Sequence, residues 1–208
     1  FANEIVTISN ESKLFYKRYF NLDTNLIYNP IDLHFTKKVN TNYNFTENIN
    51  SRKIFLSVGR LSKRKNQIEI LKTFLFIKIH DKELYNKILI YIVGEGDKLN
   101  FLKKFVSSNE LEDSVKIVGL IDDLAPFYTN SHCLISSAKA EGLPNIFVES
   151  QSFNKPIITS NYSGYYETLT DNNHQIQRNI VKVTKLKYGI VYPKGDIEQL
   201  YQSIKLMI

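Results

Sequence analysis

Uninterrupted apolar runs alternate with helix-like segments along most of this 208-residue chain, and this alternation restricts its fold more than any other feature. Residues 54–58 and 88–93 are largely apolar without polar alternation, which is typical of parallel strands buried on both faces. Between them, residues 66–80 carry apolar side chains at helical spacing. Strands that alternate with helices in this way predict an α/β fold. We expect a Rossmann-like, doubly wound parallel sheet with helices on both faces.

Polar stretches divide the chain into three predicted parts. Residues 33–52 are rich in Asn, Thr and Lys without a clear period, so a linker is predicted over residues 31–52. Residues 1–30 have a strand–helix–strand pattern, which indicates the end of a different unit and a chain that starts within a larger protein. Residues 53–208 are predicted to form the main domain, in which residues 171–187 are a long loop or an irregular pair of strands. Further strands are predicted at residues 5–9, 25–28, 115–119, 132–136, 156–160 and 188–192, and Asp196 is expected to cap the last helix.

The formal net charge of +6 admits three kinds of partner: nucleic acid, an anionic membrane surface, or phosphorylated small molecules. Basic residues are scattered along the chain apart from Lys63, Arg64 and Lys65, and no nucleic-acid-binding module is recognisable. Nucleic acid is therefore the least favoured partner. No apolar run approaches the ~18–20 residues that a membrane-spanning helix requires, and no signal-peptide pattern occurs.

Cysteine and histidine do not point to redox or metal chemistry. The single Cys133 cannot form an intramolecular disulfide, which favours a reducing compartment. Its place in a strand pattern predicts a buried, unreactive thiol. The four histidines share no ligand spacing, so no metal site is predicted.

Residues 141–149 read Glu-Gly-Leu-Pro-Asn-Ile-Phe-Val-Glu and follow a strand pattern. Pro144 is expected in the first helical turn, where its missing N–H costs nothing. The amides of Leu143, Asn145 and Ile146 would then be unpaired donors at a helix N-terminus, which suits a phosphate. Glu149 lies one turn after Asn145, on the same face.

The carboxylates of Glu141 and Glu149 could each be a helix cap or a surface charge. Their pairing around a Gly and a Pro favours a site instead. We expect them to accept hydrogen bonds from hydroxyl groups, and not to act as a general acid and base.

Two further loops follow predicted strands at the same sheet edge. In the first, Gly59 allows close approach of a ligand, and Arg60 and Lys65 supply cations for phosphate oxygens. The alternative is a solvated basic loop. In the second, Gly94-Glu95-Gly96 lacks the rest of a dinucleotide-binding fingerprint, so a structural turn is the favoured interpretation.

These motifs occur in a characteristic order. Asn-Pro-Ile-Asp is followed by Gly-Arg-Leu-x3-Lys-Asn, Val-Gly-Glu-Gly, Val-x-Ile-x-Gly, Glu-Gly-Leu-Pro-Asn-x3-Glu and Pro-x-Gly-Asp. Together they resemble the donor-binding, C-terminal half of glycosyltransferase group 1, in family 4. Members of this family are retaining enzymes of the GT-B fold that use nucleotide sugars. The resemblance extends from about residue 25 to the end of the chain.

The resemblance implies a role for each matching position. Arg60 and Lys65 would hold the donor diphosphate and stabilise it as the leaving group, and Glu141 would bind hydroxyls of the transferred sugar. Glu149 would bind the ribose. The other positions implied to contact the nucleotide sugar are Gly59, Gly94, Ile117, Val118, Gly142, Leu143, Pro144, Asn145 and Ile146. No metal ion or cofactor is implied.

The resemblance also implies a reaction and a setting. The whole enzyme would transfer a hexose or N-acetylhexosamine from a UDP-sugar, or as second choice a GDP-sugar, to a surface glycan or lipid-linked acceptor. Residues 1–30 would be the remnant of an N-terminal acceptor domain, and residues 53–208 the donor-binding domain. The fragment alone would then be almost inactive. The positive charge suggests a cytoplasmic protein, peripheral on the inner face of the plasma membrane.

Other functions are compatible with parts of the pattern. A non-catalytic nucleotide-sugar-binding module would share the fold, but the presence of Arg60, Lys65, Glu141 and Glu149 argues against a decayed site. A sugar-nucleotide epimerase of the GT-B fold is a second alternative. A phosphorylase would need a pyridoxal-binding lysine that is not recognisable, and an oxidoreductase would need a complete glycine fingerprint.

Overall fold

The computed structural model describes residues 3–30, 45, 51–162, 164–170 and 180–208. The strands are β1 Val6–Thr7, β2 Asn25–Leu26, β3 Lys53–Val58, β4 Ile88–Val93, β5 Val115–Gly119, β6 Cys133–Ser136, β7 Ile157–Ser160, β8 Thr184–Leu186 and β9 Gly189–Tyr192. The helices are α1 Asn10–Phe20, α2 Gln67–His80, α3 Lys82–Lys87, α4 Leu99–Ser108, α5 Ala125–Asn130, α6 Asn145–Ser152, α7 Tyr165–Leu169 and α8 Ile197–Met207. None of these helices is long and apolar enough to cross a membrane.

The main sheet has seven strands in the order β5-β4-β3-β6-β7-β9-β8. All neighbouring pairs are parallel except β8 and β9, which are antiparallel. From β3 the chain moves outward through β4 to β5, then returns to place β6 on the other side of β3. This reversal between β3 and β6 is the switch point at which ligands of open α/β sheets bind, outside the carboxyl ends of the strands.

Each central strand contributes to two separate cores, one on each face of the sheet. In β4, Ile88, Ile90 and Ile92 pack on the first face, whereas Leu89, Tyr91 and Val93 pack on the second. The first face is covered by α2, α3, α4 and α8, and the second by α5, α6 and α7. Because both faces are buried, these strands have no polar alternation, and the predicted doubly wound α/β fold is confirmed.

Residues 3–30 form a small unit of their own. Strands β1 and β2 make a separate two-stranded parallel sheet, with α1 as the connection between them. The Ser9 side chain accepts a hydrogen bond from the Ser12 amide and caps α1, while Asn21 ends the helix with a left-handed backbone at φ 50°. That this unit is the end of another domain stays a prediction, and most of the predicted linker lies outside the described residues.

Two helices were absent from the sequence prediction, and strand β8 agrees with one of the two alternatives given for its segment. Helices α3 and α7 have six and five residues, too few to establish a clear helical period. Strand β8 lies at the antiparallel edge of the sheet, within the segment predicted as a loop or irregular strands. The remainder of that segment, residues 171–179, lies outside the described residues. Cys133 is fully buried, and burial raises the pKa of its thiol, as expected for an unreactive cysteine.

A buried carboxylate joins α2 to the loop after β9. Glu69 is 5% exposed. Its carboxylate accepts hydrogen bonds from the Tyr192 hydroxyl at 2.9 Å, the Gly195 amide at 3.2 Å and the Asn66 side-chain amide at 2.5 Å. Burial nevertheless raises the pKa of Glu69 above its usual value of 4.5, because removing the charge from water outweighs these hydrogen bonds.

The raised pKa of Glu69 predicts a specific pH dependence of stability. Above pH 4.5 the folded chain keeps a proton on Glu69 that the unfolded chain releases, so the contribution of this group falls as pH rises through its folded pKa. The glutamine of Glu69→Gln does not titrate, so this variant should become more stable relative to the wild type as the pH rises. Urea unfolding from pH 4.5 to 7.5 measures the difference, with the exposed Glu198→Gln as control. A difference that stays constant with pH would contradict the prediction.

Candidate functional site

Two loops meet at the switch point of the sheet. The first contains residues 59–66 and follows β3, and the second contains residues 137–144 and follows β6. The Lys139 amide donates to the Arg64 carbonyl at 2.8 Å, and the Ser137 hydroxyl donates to the Asn66 carbonyl at 2.8 Å. These bonds hold the basic loop and the loop that leads to α6 side by side.

An ion pair between Lys65 and Glu141 connects the two loops. Lys65 Nζ lies 2.5 Å from Glu141 Oε1, and the side chains are 17% and 8% exposed. An ion pair this shielded from water depends strongly on both partners, because loss of one leaves a buried, unpaired charge. The sequence predicted a phosphate role for the lysine and a sugar role for the glutamate. The structure shows that the two groups are direct neighbours.

The other predicted cation is arranged differently. The Arg60 side chain is exposed to solvent, so its guanidinium is available to an anionic ligand. Gly59 has φ of 137°, in the region that favours glycine, and a Cβ there would lie 3.4 Å from Cε of Lys65. The lysine stem therefore folds over Gly59 towards Glu141, while Arg60 faces solvent from the same loop.

Gly94 and Gly96 are needed for packing against the basic loop. A Cβ on Gly94 would lie 2.1 Å from the Gly59 carbonyl oxygen, and one on Gly96 would lie 2.2 Å from the Leu61 carbonyl oxygen. The Leu61 amide also donates to the Glu95 carbonyl at 2.8 Å. The structural-turn interpretation of this Gly-x-Gly therefore has a direct steric reason, and contact of Gly94 with a nucleotide sugar stays a prediction.

Helix α6 begins one residue later than the sequence predicted. Pro144 is the N-cap with extended backbone (φ −76°, ψ 119°), and Asn145 is the first helical residue. The placement of Pro144 inside the first turn was therefore wrong by one position. The Phe147 amide donates to the Pro144 carbonyl at 3.1 Å, which leaves the amides of Asn145 and Ile146 at the open start of the helix. Leu143 and Pro144, which precede the first helical residue, are buried.

Glu149 is held in place by a residue that the sequence did not reveal. The Tyr128 hydroxyl donates to Glu149 Oε2 at 2.9 Å. Burial, and then the Glu149 charge, raise the pKa of Tyr128 well above 10, so the hydroxyl remains a neutral donor. Tyr128 also stacks on Phe153, with ring centroids 5.4 Å apart. Because α5 and α6 bring these residues together across 21 positions of sequence, no local spacing could predict the pair.

Ile117 and Val118 lie on β5, at one edge of the sheet. The Ile117 side chain packs against the first core and the Val118 side chain against the second. Since the two side chains point to opposite faces, the backbone is the part that both residues could offer to one ligand. Among the described residues, no group of three or more His, Cys, Asp and Glu side chains could hold a metal ion.

Sequence comparison identifies the family of the chain. The family model for glycosyl transferases group 1 matches residues 39–208. A Campylobacter jejuni relative, a GalNAc-α-(1→4)-GalNAc-α-(1→3)-diNAcBac-PP-undecaprenol α-1,4-N-acetyl-D-galactosaminyltransferase, is 26% identical over 84% of this chain and 45% of its own length. The Staphylococcus aureus capsular polysaccharide biosynthesis glycosyltransferase CapM is 24% identical over 73% of this chain and 35% of its own length. The chain thus spans less than half the length of these relatives.

Structural comparison agrees on the fold. The crystal structure of Anabaena HepE in complex with UDP superposes with a TM-score of 0.74 at 17% identity, covering 99% of this chain and 54% of HepE. The match therefore shows a fold shared with GT-B glycosyltransferases, and the family match runs from residue 39 to the end of the chain. The protein belongs to the group 1 glycosyltransferases.

Proposed function

We propose that residues 53–208 are the donor-binding domain of a retaining glycosyltransferase that uses a nucleotide-diphosphate sugar. The observation that carries the proposal is the Lys65–Glu141 pair at the switch point, next to an exposed Arg60. Cations for a diphosphate and a carboxylate for sugar hydroxyls thereby stand at the crevice where such sheets bind ligands. Residues 1–30 would then be the last part of the acceptor domain.

The geometry suggests how the donor would be divided among these groups. The diphosphate would accept hydrogen bonds from Arg60 and Lys65 and from the amides of Asn145 and Ile146 at the start of α6. Glu141 would share Lys65 with the diphosphate and accept hydrogen bonds from the transferred sugar. Glu149, oriented by Tyr128, would bind the ribose hydroxyls.

In the transfer step, the bond between C1 of the sugar and the diphosphate oxygen breaks, and its electron pair leaves with the diphosphate. An acceptor hydroxyl forms the new bond to C1 on the same face, and its proton passes to the departing diphosphate oxygen. The protein's task is to stabilise charge that develops on the leaving group. Each preorganised donor to such an oxygen is worth on the order of 3 kcal/mol of barrier. Lys65, Arg60 and the α6 amides would serve without a metal ion.

The relatives support a donor and an acceptor class. HepE is solved in complex with UDP, which favours a UDP-sugar over a GDP-sugar as the hexosyl donor. The Campylobacter relative is named for a lipid-linked acceptor, and CapM for capsular polysaccharide biosynthesis. We therefore propose a surface glycan or lipid-linked acceptor, bound mainly by the half of the relatives that this chain does not span. The 208-residue chain alone would bind the donor but transfer almost nothing. We propose a cytoplasmic enzyme, and its net charge of +6 suits peripheral association with an anionic membrane surface.

An activity assay of the full-length protein distinguishes this function from its alternatives. Incubated with UDP-sugar and a lipid-linked acceptor, it should elongate the acceptor. Release of free sugar without any acceptor would instead favour an epimerase, and nucleotide-sugar binding without either reaction would favour a non-catalytic module.

UDP should stabilise the 208-residue chain through Lys65 and Glu149. A ligand present at about 100 times its dissociation constant adds about 2.7 kcal/mol to the free energy of unfolding. For a chain of this size, this raises Tm by roughly 5–10 °C. Lys65→Ala and Glu149→Ala should lose this shift, each measured against its own ligand-free Tm. A folded wild-type chain that responds to neither UDP, GDP, UDP-glucose nor GDP-mannose would contradict the proposal.

Arg60 should contribute affinity without contributing stability. Because its side chain is exposed, Arg60→Ala should leave the free energy of unfolding nearly unchanged, but it should weaken UDP binding about tenfold to a hundredfold through loss of charge-assisted hydrogen bonds. Lys63→Ala is the matched control, since it removes one exposed cation from the same loop. Isothermal titration calorimetry measures the UDP affinity of both variants. Equal losses in the two variants would mean that the loop acts only through its net charge.

A further inference from the structure

The first turns of α1 and α7 face each other, and each is capped by a carboxylate from the other segment. Glu167, in α7, accepts hydrogen bonds from the amides of Asn10 at 2.9 Å and Glu11 at 3.0 Å. Glu11, in α1, accepts a hydrogen bond from the Gly164 amide at 2.9 Å. We call these four residues, Asn10, Glu11, Gly164 and Glu167, the capping clamp.

Three amides that have no partner within their own helices are satisfied by the clamp. Amides in the first turn of a helix cannot bond within the helix, and hydrogen bonds to a carboxylate are stronger than neutral ones. The Tyr28 hydroxyl also donates to Glu167 Oε2 at 3.1 Å, which adds a contact from the segment after β2. The bonds join residues more than 130 positions apart, so they fix residues 3–30 against the main domain.

The clamp lies directly against the loop that carries Glu141. Gly164 has φ of 89°, and a Cβ on it would lie 1.6 Å from the Gly142 carbonyl oxygen. The backbones of the two glycines are therefore in tight contact, and only glycine fits at position 164. Movement of Gly164 towards Gly142 is therefore opposed by direct backbone contact.

Residues 3–30 also contact both ends of this loop. A Cβ on Gly142 would lie 3.5 Å from Cδ1 of Ile8, so the Ile8 side chain lies beside that glycine. At the other end, the Asn29 side-chain amide donates to Asn145 Oδ1 at 2.8 Å. One face of residues 141–146, which we call the donor loop, is thus bounded by the small N-terminal unit.

We propose that the capping clamp sets the position of the donor loop, so that Glu11 and Glu167 are positioning residues for the nucleotide-sugar site. The inference rests on the proposed function, because the donor loop is the segment assigned there to sugar and phosphate. Its consequence is that the orientation of the N-terminal unit governs donor affinity through hydrogen bonds that do not touch the donor.

Glu167→Ala should break the clamp without altering the identity of any donor-contacting side chain. We expect the affinity for UDP-glucose, measured by calorimetry on the 208-residue chain, to fall about tenfold. Amide exchange measured by NMR should accelerate at Asn10 and Glu11, and also at Gly142, Asn145 and Ile146. Glu167→Gln, which keeps one acceptor oxygen, should have intermediate affinity and exchange. A role confined to global stability would not produce this graded rescue.

The matched control is Glu198→Ala. Glu198 is exposed and occupies the second position of α8, the same helical position that Glu11 occupies in α1. It should leave both the UDP-glucose affinity and the exchange of the donor loop unchanged.

Three results would overturn the proposal. The first is a Glu167→Ala variant with faster exchange at Asn10 and Glu11 but wild-type affinity and wild-type exchange in the donor loop. The second is unchanged exchange at Asn10 and Glu11, which would mean that the clamp does not form. If the wild type binds no nucleotide, the proposed function fails and the clamp is judged by exchange alone. Faster exchange in the donor loop of Glu167→Ala then supports it, and unchanged exchange is the third result that overturns it.

Discussion

The reversal of strand order between β3 and β6 is the constraint on which the site depends. Strands β3 and β6 are adjacent, although 74 residues separate the end of β3 at Val58 from the start of β6 at Cys133 by way of β4 and β5. Because the helices that follow them, α2 and α6, cover opposite faces of the sheet, a ligand crevice is expected at this point. Lys65 comes from the loop after β3 and Glu141 from the loop after β6, and their ion pair joins the two loops. The site is therefore a product of topology, and its charged groups meet because the sheet brings the two loops together.

The Lys65–Glu141 pair also explains why the two side chains can serve a ligand. Each would be costly to shield from water alone, and each neutralises the other while the site is empty. A diphosphate brings negative charge to the lysine, and a sugar brings hydroxyl donors to the carboxylate. In the proposed function, the ligand replaces part of the interaction that the two side chains make with each other. Under that proposal, the pair would hold the two side chains in positions suited to the donor.

The sequence predicted the features that arise from local pattern and failed on those that arise from long-range packing. The bounds of β4 follow from an apolar run buried on both faces, and the Asp196 cap of α8 follows from turn chemistry. The short α7 and the edge strand β8 lack enough residues for a period. The start of α6 was misplaced because Pro144 is sterically acceptable both as the N-cap and in the first turn. The Tyr128–Glu149 bond depends on how α5 and α6 pack, which no spacing within the chain encodes.

The two walls of the crevice are supported in different ways. The wall formed by the loop after β3 is fixed within the main domain, because the loop of Gly94 and Gly96 packs against its carbonyls at distances that exclude any side chain. The opposite wall, the donor loop, contacts Gly164 and the N-terminal unit, and its glycine is exposed. In the proposed function, the diphosphate would bind against a loop that is fixed within the main domain, whereas the position of the donor loop would depend on the N-terminal unit. A two-domain enzyme would in this way couple donor binding to the relative orientation of its two domains. The carboxylates of Glu11 and Glu167 are the groups through which that coupling would act.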